Sequence, residues 1–454
     1  MPSEPSPIVM DRRSHINTIF SSFFAISTNT FAIPQKSFAS NQMPPQTIIN
    51  ELTTPLDYRG TVTLPLEQCS GGGLCVRLII KGISLSHSEI EPLKVVRAIV
   101  DTGSPYLVLP AEDDDTEEEI IENPFLRWFS VLWNSQTAED LFQPLQLQES
   151  EYAPTKEIYG SKAGSIQWKK ASIQFRDPQL ITKISSSNNN DHNEELVLGV
   201  MDSILTKESG GTLLGLVKRS NEESTKVQLR PTFINQERIE SIPRKNNPHS
   251  FPKYEEISSF VLNAPNRTLS FSSKSQLPPI SSQSPSMIFP LVDLRPLGDF
   301  VEHYACLVDQ LYLNSTPLSS SILPSKRKIV AVFDSGLTGC LLTQPFWEEL
   351  QQMSKSNPRI NDPESIDSIK VQIKTQPPAS KYMKPSSILQ PNHVFMESSS
   401  VTNRLFYVAP ISLDWFDDDS TAPHVIVLGQ TFLQQGVLTI DIDDRLGSFE
   451  TMKT

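Results

Sequence analysis

Ile99-Val-Asp-Thr-Gly-Ser-Pro-Tyr-Leu-Val-Leu109 and Val332-Phe-Asp-Ser-Gly-Leu-Thr-Gly-Cys-Leu-Leu342 follow one plan. Each is an apolar run, then Asp-Thr/Ser-Gly, a few small or polar residues, and a second apolar run. One carboxylate at a strand end is ordinary, and Asp101 taken alone reads as a turn-capping residue. Two carboxylates offered by matching units, Asp101 and Asp334, point instead to a shared site. Carboxylates held about 3 Å apart cannot both ionise, so one keeps a proton and the pair serves as acid and base together.

The repeat runs on past the acidic triplets. Val427-Leu428-Gly429 follows Asp334 by roughly a hundred positions, and the first half offers two segments at a comparable distance from Asp101. These are Leu213-Leu214-Gly215 and Val197-Leu198-Gly199. Either choice gives both halves the same order of elements, which an internal duplication explains.

These residues resemble the pepsin-like family of two-lobed aspartic proteases, and the likeness spans about Tyr58 to Phe449. In that family an apolar-apolar-Gly segment crosses behind the Asp loop of its own lobe, and Gly lets the two backbones approach. Gly211-Thr-Leu-Leu-Gly-Leu216 is closer to the family's first-lobe version, which favours Gly215 beside Gly429. Val427-Leu-Gly-Gln-Thr-Phe-Leu433, Val437-Leu-Thr-Ile-Asp441 and Arg445-Leu-Gly-Ser-Phe449 resemble its C-terminal signature. Tyr58-Arg-Gly-Thr-Val62 resembles its opening strand.

The resemblance implies catalysis by Asp101 and Asp334 at an interlobe cleft, with one water between them and no metal, nucleotide or organic cofactor. Thr102 and Ser335 would bond across to the opposite lobe's backbone. Gly103 and Gly336 would allow the tight turn and donate N–H groups to the carboxylates, and Ser104 would hydrogen-bond the outer oxygen of Asp101. The position matching Ser104 is Leu337, which has no hydroxyl. A missing bond to the ionised form implies raised dyad pKa values and a mildly acid optimum. A flap hairpin is expected at Glu157–Ile166, with Tyr159-Gly160 over the cleft and Gly164 at the turn; Tyr152 competes with Tyr159 for that role. An extended polypeptide with bulky apolar side chains around the cut bond is the implied substrate. Relatives that have become non-catalytic binding proteins usually lose one Asp or the Gly after it, and both are present here.

Composition agrees with an all-β chain. The 454 residues suit two domains or one two-lobed body. Strand-forming residues surround the motifs, punctuated by Pro (36) and Gly (18). Helical periodicity is scarce, and Gln344–Met353 with Pro345 in its first turn is the best candidate. The fold expected is therefore a bilobal acid-protease fold, two pseudo-symmetric β lobes about a central cleft with a few short helices.

The expected organisation is a leader, targeting or disordered segment at residues 1–50, the first lobe at 51–275 with a polar insertion at 218–256, and the second lobe at 276–454 with another near 354–392. Ser272–Ser286, rich in Ser and Pro, reads as the connector. Both Asp residues lie in one chain, so a monomer is expected.

A formal net charge of −13 disfavours nucleic-acid binding, which needs clustered Lys and Arg. Part of that charge sits in Glu112-Asp-Asp-Asp-Thr-Glu-Glu-Glu119, a solvated loop or a cleft-rim patch favouring basic substrates. No run reaches the about 18–20 apolar residues that span a bilayer, so stable membrane insertion is not expected. Arg12-Arg13, Ile19-Phe-Ser-Ser-Phe-Phe-Ala-Ile26 and the small residues to Ala32 read as a signal peptide. It would direct the chain to the secretory or endomembrane lumen or outside the cell. Phe31–Pro34 resembles the cleavage region of bipartite plastid signals, which would imply a plastid instead. Cys69 and Cys75 bracket a flexible loop and could close as a small disulfide, while Cys306 and Cys340 read as buried fillers. Asn266-Arg-Thr268 and Asn314-Ser-Thr316 are glycan acceptor motifs, should the chain enter the secretory route.

Overall fold

The computed structural model describes residues 60–69, 73–81, 93–111, 147–159, 162–175, 195–205, 211–218, 231–241, 253–277, 288–297, 302–357, 360, 362–374, 393–399, 406–411 and 422–451. The leader, the acidic run 112–119, most of the connector and part of each polar insertion lie outside them. The described chain is mostly β, arranged as a nine-stranded, an eight-stranded and a six-stranded sheet plus a small hairpin.

Continuous apolar runs mark strands covered on both faces. Ile329–Phe333 and His424–Leu428 are buried at every position, as is Thr212–Gly215. Thr61–Pro65 alternates buried and half-exposed residues, as a strand with one wet face does.

The duplication reappears as topology. In the nine-stranded sheet five neighbours run in the order Leu74–Lys81, Leu93–Asp101, Thr212–Gly215, Leu107–Pro110, Glu195–Met201. Their pairings are antiparallel, parallel, antiparallel and parallel. In the eight-stranded sheet the order is Ala305–Leu313, Ile329–Phe333, His424–Leu428, Cys340–Thr343, Val408–Ile411, with the same alternation. Each Asp thus leaves a central strand flanked by a parallel neighbour that arrives later in the chain.

The six-stranded sheet joins the halves. Its middle pair is Ser259–Asn263 against Gly436–Asp441, so the first half bonds directly to the second. Outward on either side lie Thr268–Ser272 with Thr61–Pro65, and Leu446–Thr451 with Ile288–Pro290. Phe260, Phe271, Phe289 and Phe449 are fully buried, each contributing about 1.5–3 kcal/mol relative to an exposed side chain.

Helix Gln344–Ser356 buries Phe346, Trp347, Leu350 and Met353 on one face, with proline in its first turn. Among the described residues no helix is long and apolar enough to cross a membrane. Cys69 and Cys75 are disulfide-bonded, whereas Cys306 and Cys340 are free and buried.

Two local features depart from the sequence expectations. Within the segment taken as a polar insertion, Phe233 and Ile234 are buried, and Phe233 packs edge-on against Phe175. The Phe233 N–H also donates to Pro105 O at 2.9 Å, so this short helix supports the loop just after Asp101. Charged flanks conceal such a brief apolar pair in the sequence. Asn314 is the second case. Its Nδ2 donates to Ser365 O at 2.7 Å, and its Oδ1 accepts from Asp367 N and Ser368 N at 2.7 and 2.8 Å. With φ at 46° it works as a turn residue whose amide is fully engaged, while Asn266 lies exposed in the Ala264–Arg267 turn.

Candidate functional site

Asp101 ends its strand and Asp334 directly follows Ile329–Phe333, and both side chains are buried. A strand covered on both faces cannot continue past a buried acid without a turn, and Thr102-Gly103 and Ser335-Gly336 make that turn in each half.

The two turns brace one another reciprocally. Thr102 N donates to Ser335 Oγ at 3.0 Å, and Ser335 N donates to Thr102 Oγ1 at 2.8 Å. Thr102 Oγ1 passes its proton to Phe333 O at 2.9 Å, and Ser335 Oγ to Val100 O at 2.7 Å. Each hydroxyl therefore both accepts and donates across the halves, satisfying four buried backbone groups whose loss would cost about 1–3 kcal/mol apiece.

The same geometry brings the carboxyls face to face. A Cβ built on Gly103 would lie 2.7 Å from Asp334 Cγ, and one on Gly336 would lie 2.7 Å from Asp101 Cγ. Only glycine leaves room for the opposing carboxyl. Gly103 N donates to Asp101 Oδ1 at 2.8 Å, while Gly336 N and Leu337 N donate to Asp334 Oδ1 at 2.9 and 3.2 Å.

Behind the turns, Gly215 pairs in register with Asp101 and its N–H donates to Tyr106 O at 2.9 Å. Gly429 N donates to Gly339 O at 2.9 Å, and Asp334 N donates to Leu428 O at 3.0 Å. Gly199 is instead paired with Val108, one strand further out.

Burial raises both carboxyls. Asp334 stands well above the ordinary carboxylate range, first from burial and then from the charge of Asp101. Asp101 is also raised by burial, offset by the Gly103 N–H, by its contact with Asp334 and by His303. Among the described residues Asp101 Oδ2 has no hydrogen-bond donor, and the Asp334 carboxyl reaches that of Asp101. Asp334 is the carboxyl raised further, because the charge of Asp101 adds to its burial.

Linkage gives this a sign. Groups whose folded pKa is raised contribute stability below their unfolded pKa and lose it as pH rises through the folded value. Thermal midpoints measured between about pH 4 and pH 8 should therefore fall more steeply in the wild type than in Asp334→Asn. Equal slopes would show that Asp334 is not strained by its surroundings.

Several sequence-singled residues sit differently from expectation. The Ser104 side chain is buried, yet its hydroxyl makes no bond to Asp101, whose donors are the backbone N–H groups of Gly103 and Gly336. The Ser104 backbone carbonyl accepts from Val217 N at 3.0 Å. Gly164 does not form the hairpin turn. Thr155–Tyr159 pairs with Lys162–Phe175 as far as Tyr159 opposite Lys162, and Gly164 stands within the paired strand opposite Glu157. Gly164 faces Asp202 and Leu205, where a Cβ would lie 2.5 Å from each. The Tyr159 side chain and Gly160 lie outside the described residues. Tyr152 packs against the apolar cluster holding Tyr106 and Trp168.

Leu337 is buried in a cluster with Val332, Leu341 and Val427, and Tyr407 packs on it. Leu337→Thr would add a hydroxyl beside the Asp334 turn, favouring the ionised form of that carboxyl and lowering the pH at which it loses its proton. An unchanged Asp334 titration, followed by carboxyl-carbon NMR, would show that the hydroxyl does not reach the carboxyl.

Three contributors had no signal in the sequence. His303 Nε2 lies 3.0 Å from Gly103 O. Tyr304 OH donates to Leu216 O at 2.7 Å, and burial drives that phenol far above its usual range. Gln430 Nε2 donates to Ser335 O at 2.5 Å. No known family model and no curated protein matches the chain.

Proposed function

We propose that this chain is a pepsin-like, two-lobed aspartic endopeptidase that cleaves polypeptides with a water activated between Asp101 and Asp334. One observation carries the proposal: two Asp turns of matching topology brace one another so that a pair of buried carboxyls meets, each raised above the ordinary carboxylate range. The twin five-strand arrangements and the sheet that joins the halves support a bilobal body, 51–275 and 276–454, with the pair between its lobes.

In the reaction the water oxygen attacks the peptide carbonyl carbon while Asp101 takes the water's proton. Asp334 donates its proton to the carbonyl oxygen, giving a neutral tetrahedral diol. As the C–N bond breaks, the amine takes the proton held by Asp101 and a diol hydroxyl returns one to Asp334. Such acid–base assistance contributes about 10²–10⁴-fold, and holding water and carbonyl in line contributes much of the rest. The strand hairpin Thr155–Tyr159 with Lys162–Phe175 suits a cover that presents backbone to an extended substrate. Both carboxyls come from one chain, which fits a monomer. The Cys69–Cys75 bond favours an oxidising compartment, in keeping with the secretory reading of the leader.

The test is cleavage of a denatured protein by the purified chain at about pH 4–6, where one carboxyl of such a pair is protonated, with and without a pepstatin-type inhibitor. Inhibitable cleavage is expected. Tight inhibitor binding without cleavage would identify a binding protein on the same frame, and neither would remove the proposal.

A further inference from the structure

We propose that His303 is a positioning residue of the dyad, holding Gly103 against both carboxyls. This rests on the endopeptidase reading above for its kinetic consequences, though the contact itself does not.

His303 is buried, 5 % exposed, and its Nε2 lies 3.0 Å from Gly103 O. A carbonyl oxygen only accepts, so Nε2 carries the hydrogen. Gly103 is the residue on which the dyad turns: its N–H donates to Asp101 Oδ1 at 2.8 Å, and its bare Cα faces the Asp334 carboxyl. A bond that fixes the Gly103 carbonyl therefore fixes the N–H aimed at one acid and the gap left for the other. The hold comes from the opposite half of the chain, as does its neighbour's, Tyr304 OH to Leu216 O.

On the segment of His303, Glu302 is engaged by Arg445 at 3.0 Å and by Arg295 at 3.9 Å, and Tyr304 is committed to Leu216. Across from it, among the described residues, stand Asp101 and then Asp334. The charge of His303 acts on Asp101 in the direction of ionisation, after burial and the bonds from Gly103 and Asp334 and ahead of that from Gly336. The second half brings Gln430, a neutral donor, to its own turn at Ser335 O. The two turns are thus supported unequally, and the support that can carry charge falls on the acid assigned as the base.

Two variants of the full chain separate the hydrogen bond from the charge. His303→Gln keeps an N–H within reach of Gly103 O and cannot be charged; His303→Phe keeps the ring and loses both. In peptide cleavage followed across pH, both should move the acid limb of kcat upward by about half a unit or more. Only His303→Phe should also lower kcat at its own optimum, by about tenfold with KM unchanged, as a lost buried hydrogen bond predicts. Altered thermal stability with wild-type limbs and kcat in both variants would overturn the proposal. A readout independent of activity is the pH titration of the His303 ring-proton NMR signals. Asp101→Asn should displace that curve, and an identical curve would also overturn the proposal. Should the wild type fail to cleave, the endopeptidase reading fails, and the NMR titration still decides whether His303 and Asp101 are coupled.

Discussion

Asp101→Asn is expected to lower peptide-bond cleavage by at least about 10³-fold, the upper range for loss of a positioned acid–base group. Asn cannot take a proton from water, and it removes the negative neighbour that helps keep Asp334 protonated. The fold should tolerate the change. Asn is nearly isosteric, and its Oδ1 can still accept from Gly103 N, where Asp101 Oδ1 does so at 2.8 Å. Removing a charge that burial makes costly should leave the thermal midpoint equal or higher near neutral pH. Activity and melting measured on the same preparation check both parts. Residual cleavage above about a tenth of wild type would place the chemistry elsewhere. A large drop in melting temperature would mean that the variant reports folding.

Gly429→Ala should cost the fold about 3 kcal/mol or more, the high end for overpacking a closed site. The added Cβ would lie 2.4 Å from both Gly339 O and Leu337 O. These are backbone oxygens of the turn that follows Asp334, so no side-chain rotation relieves the contact. Gly215→Ala meets Tyr106 N at 2.4 Å and Ser104 O at 2.5 Å, and should behave alike. Since whole domains are stable by only about 5–15 kcal/mol, either variant should unfold at markedly lower denaturant, with cleavage falling in parallel. A loss under about 1 kcal/mol in urea unfolding would mean that the crossing strands have slack. The paired expectation matters, because equal costs at Gly215 and Gly429 would place the same close approach in both halves.

Most of what frames the site was legible in order and spacing. A run such as Ile329–Phe333, apolar at every position, reads as a strand covered on both faces because polar neighbours would leave it half wet. The Asp-Thr-Gly and Asp-Ser-Gly turns were legible because small residues are required where two buried acids approach. Gly199 and Gly215 were not separable on the same grounds, since each ends an apolar pair. Only the parallel pairing of Thr212–Gly215 with Leu93–Asp101 sets Gly215 rather than Gly199 next to the acid.

Side-chain direction was the level that the linear pattern could not reach. Ser104 has the chemistry to serve Asp101, yet its backbone is tied to Val217 and its hydroxyl makes no bond to that carboxyl. Gly164 has the freedom for a turn, yet it sits inside a paired strand opposite Glu157 and gives clearance beside Asp202. Phe233 and Ile234, embedded among charged residues, gave no period long enough to mark them as core.

By itself the order of residues determined that this chain is built from strands and repeats one acid-bearing unit twice, because burial on two faces and tight turns restrict which residues can stand where. Tertiary structure alone decided that the two acids meet, that burial raises both, and that His303, about two hundred positions from Gly103, contacts the turn. The physical reason is range. Local pattern reports the solvent and backbone demands on neighbouring residues, whereas proton sharing and cross-half hydrogen bonds depend on distances that only the folded sheets fix.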